Sequence, residues 1–331
     1  MTQPFIRPDV RALLQEMEAA GGKRAVDVGL EQARGMLHAS RHLFDAPVGE
    51  LAVIRDLAGG PCPMRLYDAR AERGPVPVMI FCHGGGFVLG DIDTHEPLCA
   101  EIARLLDLPV VSVGYRLAPE HPFPAGVEDA IAAARWAASS AAELGLEASG
   151  LVLAGDSAGG NFAIVTALAL RDKPAAVPVL ALWAIYPAAN PTVHYHSLDQ
   201  FGEGFMLSRE SMHWFDQCYA PDRSDWRYDP MLQELHKLPP ALVVTAGLDP
   251  IRDQGRAYAA GLAQAGESVV YLECEGTIHG FMNLRKALPS AQADLERCCA
   301  HLRVMVGSRH LPPAGRKERR MPDQVRHDGE R

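Results

Sequence analysis

The stretch 151-LVLAGDSAGGNFAIVTALALR-171 passes from four aliphatic residues, through a serine flanked by glycines, into a long apolar run of helical character. Its centre, Gly155-Asp156-Ser157-Ala158-Gly159, has the form GxSxG. A glycine two residues to either side of the serine lets the backbone turn sharply while strand and helix stay close. The serine is then left in a strained position, its hydroxyl exposed beyond the carboxyl edge of the sheet. GxSxG alone is common turn composition. A buried strand before it and a helix after it make it a nucleophile elbow.

Outward from this point the same alternation repeats. Apolar strand runs are expected at 76–82, 110–115, 151–154, 179–185, 242–246 and 269–272, and the Ala-rich stretch 127–144 reads as a helix between two of them. Runs this apolar, separated by helices, imply an α/β fold with a mostly parallel central sheet buried on both faces. Shorter β runs at 51–57 and 64–67 precede them, with Gly59-Gly60-Pro61 as the turn. Upstream, Val10, Leu13, Leu14, Met17 and Ala20 recur at helical spacing, and a second helical stretch is expected around 26–37. Residues 187–237 break the rhythm. They are rich in Pro, Gly, His and aromatics, and they separate two strands by more than a simple crossover needs, so they read as a lid-like insertion.

A second signal is His83-Gly84-Gly85-Gly86-Phe87, directly after the strand run 76–82. Three consecutive glycines let backbone N–H groups converge on one point without side chains in the way. Such donors stabilise the negative charge that builds on a carbonyl oxygen during acyl transfer. A phosphate loop is the rival, but neither GxGxxG nor GK[ST] is present.

A serine hydroxyl is a weak nucleophile until a histidine takes its proton and an acid orients that histidine. In this kind of sheet both partners should follow the serine, each in a loop after a later strand. Asp249 lies in 247-GLDPIRD-253 after one strand run, and His279 in 275-EGTIHGF-281 after the last. Asp253 competes with Asp249 but lies further into a predicted helix. The chain holds 13 histidines, and His279 stands apart from the others by following the last strand between Gly276 and Gly280.

Composition excludes several classes. Of the 331 residues 48% are hydrophobic and 22% charged, which suits a globular chain with a buried core. Forty-one acids against 32 bases, a net charge of −9, argue against a nucleic-acid binder, which needs a basic face. The 7 cysteines contain no CxxC pair, so zinc-ribbon and thioredoxin-like signatures are missing, and Cys298-Cys299 reads as two helix residues in a reducing compartment. The uncharged run 174–193 is interrupted by four prolines and makes a poor membrane span. No signal-peptide stretch is seen at the amino terminus, so a cytoplasmic protein without a membrane partner is expected. The tail 308–331 has seven Lys/Arg, four Asp/Glu and three large aliphatic residues, too few to offset the entropy of ordering it.

HGGGF, YRLAPEHPFPA (115–125), GDSAGGN, GLDPIRD and HGF stand here in the order found in the hormone-sensitive-lipase-like family of α/β-hydrolases. The chain resembles the bacterial family IV esterases of that group over roughly residues 5–305. The resemblance implies an α/β-hydrolase fold as a single domain over 1–307, with a helical cap from about 1–45 and 188–236. It implies a carboxylester hydrolase for short to medium acyl chains, acting on a small-molecule ester without metal or cofactor, as a monomer or homodimer. The family's nucleophile maps onto Ser157, its acid onto Asp249 and its base onto His279. Its oxyanion donors map onto the N–H groups of Gly85, Gly86 and Ala158, with Gly84 an alternative to one of them. Phe201, Phe205, Trp214 and Phe215 are candidate cap residues for the substrate wall. The same scaffold also serves amidases, lactonases and deacetylases, and plant gibberellin receptors that resemble it lack an intact triad. All three triad positions are filled here.

Overall fold

The computed structural model describes residues 4–21, 24–72 and 74–307. Eight strands form one sheet: β1 Val53–Asp56, β2 Met64–Asp68, β3 Val76–Cys82, β4 Val110–Val113, β5 Ala148–Asp156, β6 Val179–Ile185, β7 Ala241–Leu248 and β8 Val269–Ile278. Their spatial order is β1-β2-β4-β3-β5-β6-β7-β8, antiparallel at β1/β2 and β2/β4 and parallel elsewhere. β3, β4 and β7 are buried at every residue, as apolar strands covered on both faces must be.

The connections follow from handedness. β3 crosses to β4 in one direction through the helix Glu96–Leu106. β4 to β5, β5 to β6 and β7 to β8 cross in the other direction through Ala125–Ala137, Ala158–Asp172 and Arg252–Gln264. Right-handed crossovers therefore put the first helix on one face of the sheet and the others on the opposite face. The direction reverses between the neighbouring strands β3 and β5. Open α/β sheets bind ligands at such a switch point, outside the carboxyl ends of the strands.

Several elements differ from the sequence reading. The apolar run 269–272 is only the start of β8, which continues to Ile278. β8 lies at the sheet edge, where Glu273 and Glu275 interrupt the apolar pattern without ending the strand. The stretch 127–144 is two helices, Ala125–Ala137 and Ala141–Leu144, and the upstream stretch is Ala25–Val28 followed by Leu30–Phe44. Gly29, at φ 82°, turns the chain between the latter pair.

Pro8–Ala19 and Leu30–Phe44 lie over the carboxyl end of the sheet together with Arg209–Tyr219 of the insertion after β6. His196–Phe201 of the same insertion docks on the loop after β7, where Ser197 Oγ donates to the Pro250 carbonyl at 2.9 Å. Arg24 pairs with Glu210 at 2.7 Å, joining the amino-terminal segment to the insertion. Arg34 grips the body, donating to the carbonyls of Val88 and Ala118, both at 3.0 Å, and to Glu120 at 2.7 Å. The tail 308–331 lies outside the described residues.

Candidate active site

Ser157 joins β5 to the helix Ala158–Asp172 with φ 56° and ψ −116°. A non-glycine residue at positive φ costs on the order of 1–3 kcal/mol and persists only where its surroundings over-determine it. Here the Ser157 N–H donates to the Ile185 carbonyl at 2.9 Å, while its own carbonyl accepts from Asn161 at 3.1 Å and Ala188 at 3.2 Å. Both sides of the strained residue are held. A Cβ on Gly159 would lie 1.9 Å from the Cys82 carbonyl oxygen, so the helix rests directly on the end of β3. The outer glycine of GxSxG serves close approach.

His279 follows β8 and Asp249 follows β7, and both are buried. A carboxylate can only accept, so the 2.7 Å contact between His279 Nδ1 and Asp249 Oδ2 puts the proton on Nδ1. Nε2 is then left as an acceptor, and the Ser157 hydroxyl donates to it at 2.8 Å. Asp249 is fixed in turn, its Oδ1 accepting the Ile251 N–H at 2.8 Å. Asp253, the competing acid, points elsewhere: it accepts from Ser197 N–H at 3.0 Å and from Arg252 at 2.9 Å. The structure brings Ser157, His279 and Asp249 together and leaves Asp253 out.

The glycine loop after β3 is aimed by its carbonyls. In a planar trans peptide the C=O and N–H point in opposite directions. The Gly84 carbonyl accepts from His83 Nδ1 at 2.8 Å, which turns the Gly85 N–H the other way. The Gly85 carbonyl accepts from Leu89 at 2.8 Å and Val88 at 3.1 Å, which does the same for Gly86. Among the described residues none accepts from the N–H of Gly85, Gly86 or Ala158. The Gly84 N–H, the alternative donor, is taken by Asp156 Oδ1 at 2.8 Å. His83 is held by Tyr115, whose ring stacks on it at 4.1 Å. Burial first, and then the neighbouring His95, push the His83 imidazole down to about 4, so it is the neutral ring that orients Gly84.

These groups open onto one cavity of about 660 Å³, lined by Gly84, Gly85, Gly86, Ser157, Ala158 and His279 at its base. Its walls are mainly apolar: Leu13, Met17, Leu37 and Phe44 from the amino-terminal helices, and Met206, Leu207, Met212 and Phe215 from the insertion. Of the four aromatic candidates only Phe215 lines the cavity, its ring against Gly86, where an added Cβ would lie 2.3 Å away. Phe201 and Phe205 pack edge to face at 5.4 Å, with the Arg252 guanidinium 5.1 Å from the Phe201 ring, and Trp214 packs beside Phe215 at 5.3 Å. Aromatic density had pointed to the insertion, but packing within it uses most of those rings. The wall residues missed by that reasoning carry a helical signal: Leu13 and Met17 belong to the stripe that begins at Val10, and Leu37 and Phe44 lie seven apart on Leu30–Phe44. Among the described residues no group of three His, Cys, Asp or Glu side chains is arranged to hold a metal ion. No helix there is long and apolar enough to cross a membrane.

Comparison with known proteins bears on the fold and the enzyme class. The profile of a family described as alpha/beta hydrolase fold matches residues 79–283. The carboxylic ester hydrolase LipN of Mycobacterium tuberculosis is 43% identical over 235 residues, which are 68% of this chain and 62% of that protein. An ethyl acetate hydrolase of Pseudomonas putida is 36% identical over 308 residues, 88% of this chain and 96% of that one. The solved structure of an ester hydrolase from the metagenome of Lake Arreo, complexed with a bipyridine phosphonate derivative, superposes with a TM-score of 0.85 at 38% identity, covering 91% of this chain and 98% of that one. The chain belongs to the hormone-sensitive-lipase-like family of α/β-hydrolases, as an enzyme of the carboxylesterase type.

Proposed function

We propose that the chain hydrolyses carboxylic esters of short to medium acyl chains through an acyl-enzyme on Ser157. The observation that carries this reading is the unbroken relay from Ser157 Oγ to His279 Nε2, at 2.8 Å, and from His279 Nδ1 to Asp249, at 2.7 Å, at the base of an apolar cavity. Ser157 Oγ attacks the ester carbonyl while His279 Nε2 takes its proton, and Asp249 stabilises the imidazolium. The carbonyl oxygen, now negative, accepts from the N–H groups of Gly85, Gly86 and Ala158. His279 returns the proton to the leaving alcohol; water then repeats the sequence on the acyl-enzyme.

The substrate range rests on the walls. A cavity of about 660 Å³ lies within the range of small-molecule sites, and side chains of the two cap segments, 1–45 and 188–236, supply most of its apolar surface. In this proposal those segments form the cap of one hydrolase domain spanning 1–307.

Ser157→Ala removes one hydroxyl and leaves the fold in place. Loss of a triad nucleophile costs on the order of 10⁶ in rate, so hydrolysis of p-nitrophenyl acetate through hexanoate should drop to background. A folded Ser157→Ala protein retaining a tenth of wild-type activity would overturn the assignment.

A further inference from the structure

Asp156, the residue before the nucleophile, has no part in the relay, yet it is more heavily engaged than either neighbour. Its side chain is only 4% exposed. Groups from four different parts of the chain converge on it. The Gly84 N–H donates to Oδ1 at 2.8 Å, and His95 Nε2 stands 3.3 Å from the same oxygen. Asn283 Nδ2 donates to Oδ2 at 3.3 Å and the Tyr186 hydroxyl at 3.4 Å. A buried carboxylate without partners is expensive. Burial works to raise the Asp156 carboxyl, but the field of His95 and its hydrogen bond, with the Gly84 N–H, hold it below the ordinary value.

The partner that matters chemically is Gly84. Its peptide begins the loop whose next two N–H groups face the cavity, and its N–H is the point at which that loop is tied to the elbow. A Cβ on Gly84 would lie 2.6 Å from Asp156 Oδ2, so the glycine is what lets the loop settle onto the carboxylate. The two halves of the site arrive on different strands, the loop after β3 and the nucleophile after β5. The pairing of those strands ends at Cys82 with Gly155. Beyond it the Asp156–Gly84 hydrogen bond continues the link, one residue from Ser157. The charge also has a cost, because a carboxylate near a developing oxyanion repels it. Geometry has to repay that cost.

We infer that Asp156 is a positioning residue for ester hydrolysis: its carboxylate holds the Gly84 peptide and so aims the Gly85 and Gly86 N–H groups at the substrate's carbonyl oxygen. The inference rests on Ser157 being the nucleophile.

The test compares Asp156→Asn and Asp156→Ala with wild type, measuring kcat and KM for p-nitrophenyl acetate and the inhibition constant of a trifluoromethyl ketone, which forms a tetrahedral adduct with a nucleophilic serine. Misaimed oxyanion donors cost on the order of 10²-fold in rate. Asp156→Ala should therefore lose about that factor in kcat, with KM within about threefold and ketone binding weakened in parallel. Asn keeps an acceptor for Gly84 but loses the charge-assisted bond, so its kcat should fall about three- to tenfold, between the other two. A role in stability alone would lower the melting midpoint and leave this order absent. Wild-type kcat in folded Asp156→Ala, or equal losses in both variants with ketone binding unchanged, would overturn the inference. If Asp156→Ala shows no cooperative melting, Asp156→Asn decides: kcat at the wild-type level overturns it, and a three- to tenfold fall at constant KM supports it. Ser157→Ala run alongside separates the two readings. If it is inactive while the Asp156 variants are normal, only the positioning role fails; if it stays active, both fail.

Discussion

Gly159 has no room for a methyl group, and the obstruction is backbone. Its Cβ would meet the Cys82 carbonyl oxygen at 1.9 Å and the His83 carbonyl oxygen at 2.6 Å. Main-chain atoms at a strand end cannot swing aside as a flexible side chain can. Overpacking usually costs about 1–3 kcal/mol, and Gly159→Ala should reach or exceed the top of that range, seen as a fall of several degrees in the melting midpoint. Activity should fall further still, because relief of the clash moves the elbow away from the glycine loop. A variant with wild-type midpoint and kcat would show that the helix does not press on β3. His83 gives a pH-dependent counterpart. Its imidazole is pushed from 6.5 down to about 4, so between those values the unfolded chain binds a proton that the folded chain refuses. Stability therefore rises with pH across that window and is lost on acidification, by about 1.4 kcal/mol per unit at most and about 3 kcal/mol in all. His83→Gln, whose amide can still donate to Gly84, should flatten the loss between pH 6.5 and 4.5 in thermal melts; an unchanged slope would place the acid sensitivity elsewhere. At this scale the triad was legible, because each member sits in a short motif directly after a strand. The Gly84–Asp156 bond was not, since it depends on the register of β3 against β5.

Elements were legible wherever their burial was uniform. β3 and β6 match their apolar runs to the residue. β8 is partly buried at the sheet edge, and its apolar run stops at Leu272 because Glu273, paired with Arg256, and the exposed Glu275 interrupt the pattern. The amino-terminal stripe was visible, but what it covers was not. Its attachment is a buried ion pair: Arg285 donates to Asp45 at 2.8 and 3.1 Å, with side chains 2% and 1% exposed and 240 residues apart in sequence. Lys286 and Ala287 also donate their N–H groups to the Phe44 carbonyl, at 3.0 and 3.1 Å. Arg285→Ala leaves Asp45 buried and unpaired, which costs about 3–5 kcal/mol. The double variant Asp45→Ala/Arg285→Ala should recover a substantial part of that loss, since it removes the stranded charge. A double variant less stable than Arg285→Ala would mean that the pair contributes packing and not compensated charge. By contrast the Arg24–Glu210 pair is exposed on both sides. Water and salt screen such a pair, so Arg24→Ala should leave the melting midpoint unchanged within error.

Across the whole molecule, the proposed function divides reaction and selectivity between parts with different origins in the chain. The sheet and its loops carry Ser157, Asp249, His279 and the glycine loop. The segments outside it carry the apolar walls. The first part was readable from motifs; the second was readable only as segments, because the side chains that face inward depend on how the helices are rotated once packed. Leu13, Met17 and Leu37 line the cavity, so shortening them should weaken the hold on long acyl chains and leave the reacting groups where they are. Each buried methylene contributes about 0.8 kcal/mol. A hexanoyl group has four more than an acetyl group, and losing about half of that contact lowers the hexanoate-to-acetate ratio of kcat/KM by roughly tenfold. Met17→Ala/Leu37→Ala in the full chain is the first measurement, and kcat for acetate should stay near wild type. Deleting the first 40 residues should lower the ratio further. It also removes the Arg34 anchor and uncovers apolar surface, so aggregation should rise. An unchanged ratio in the folded double variant would mean that the acyl chain lies against the insertion, along Met206, Met212 and Phe215, and that the amino-terminal helices face the alcohol side.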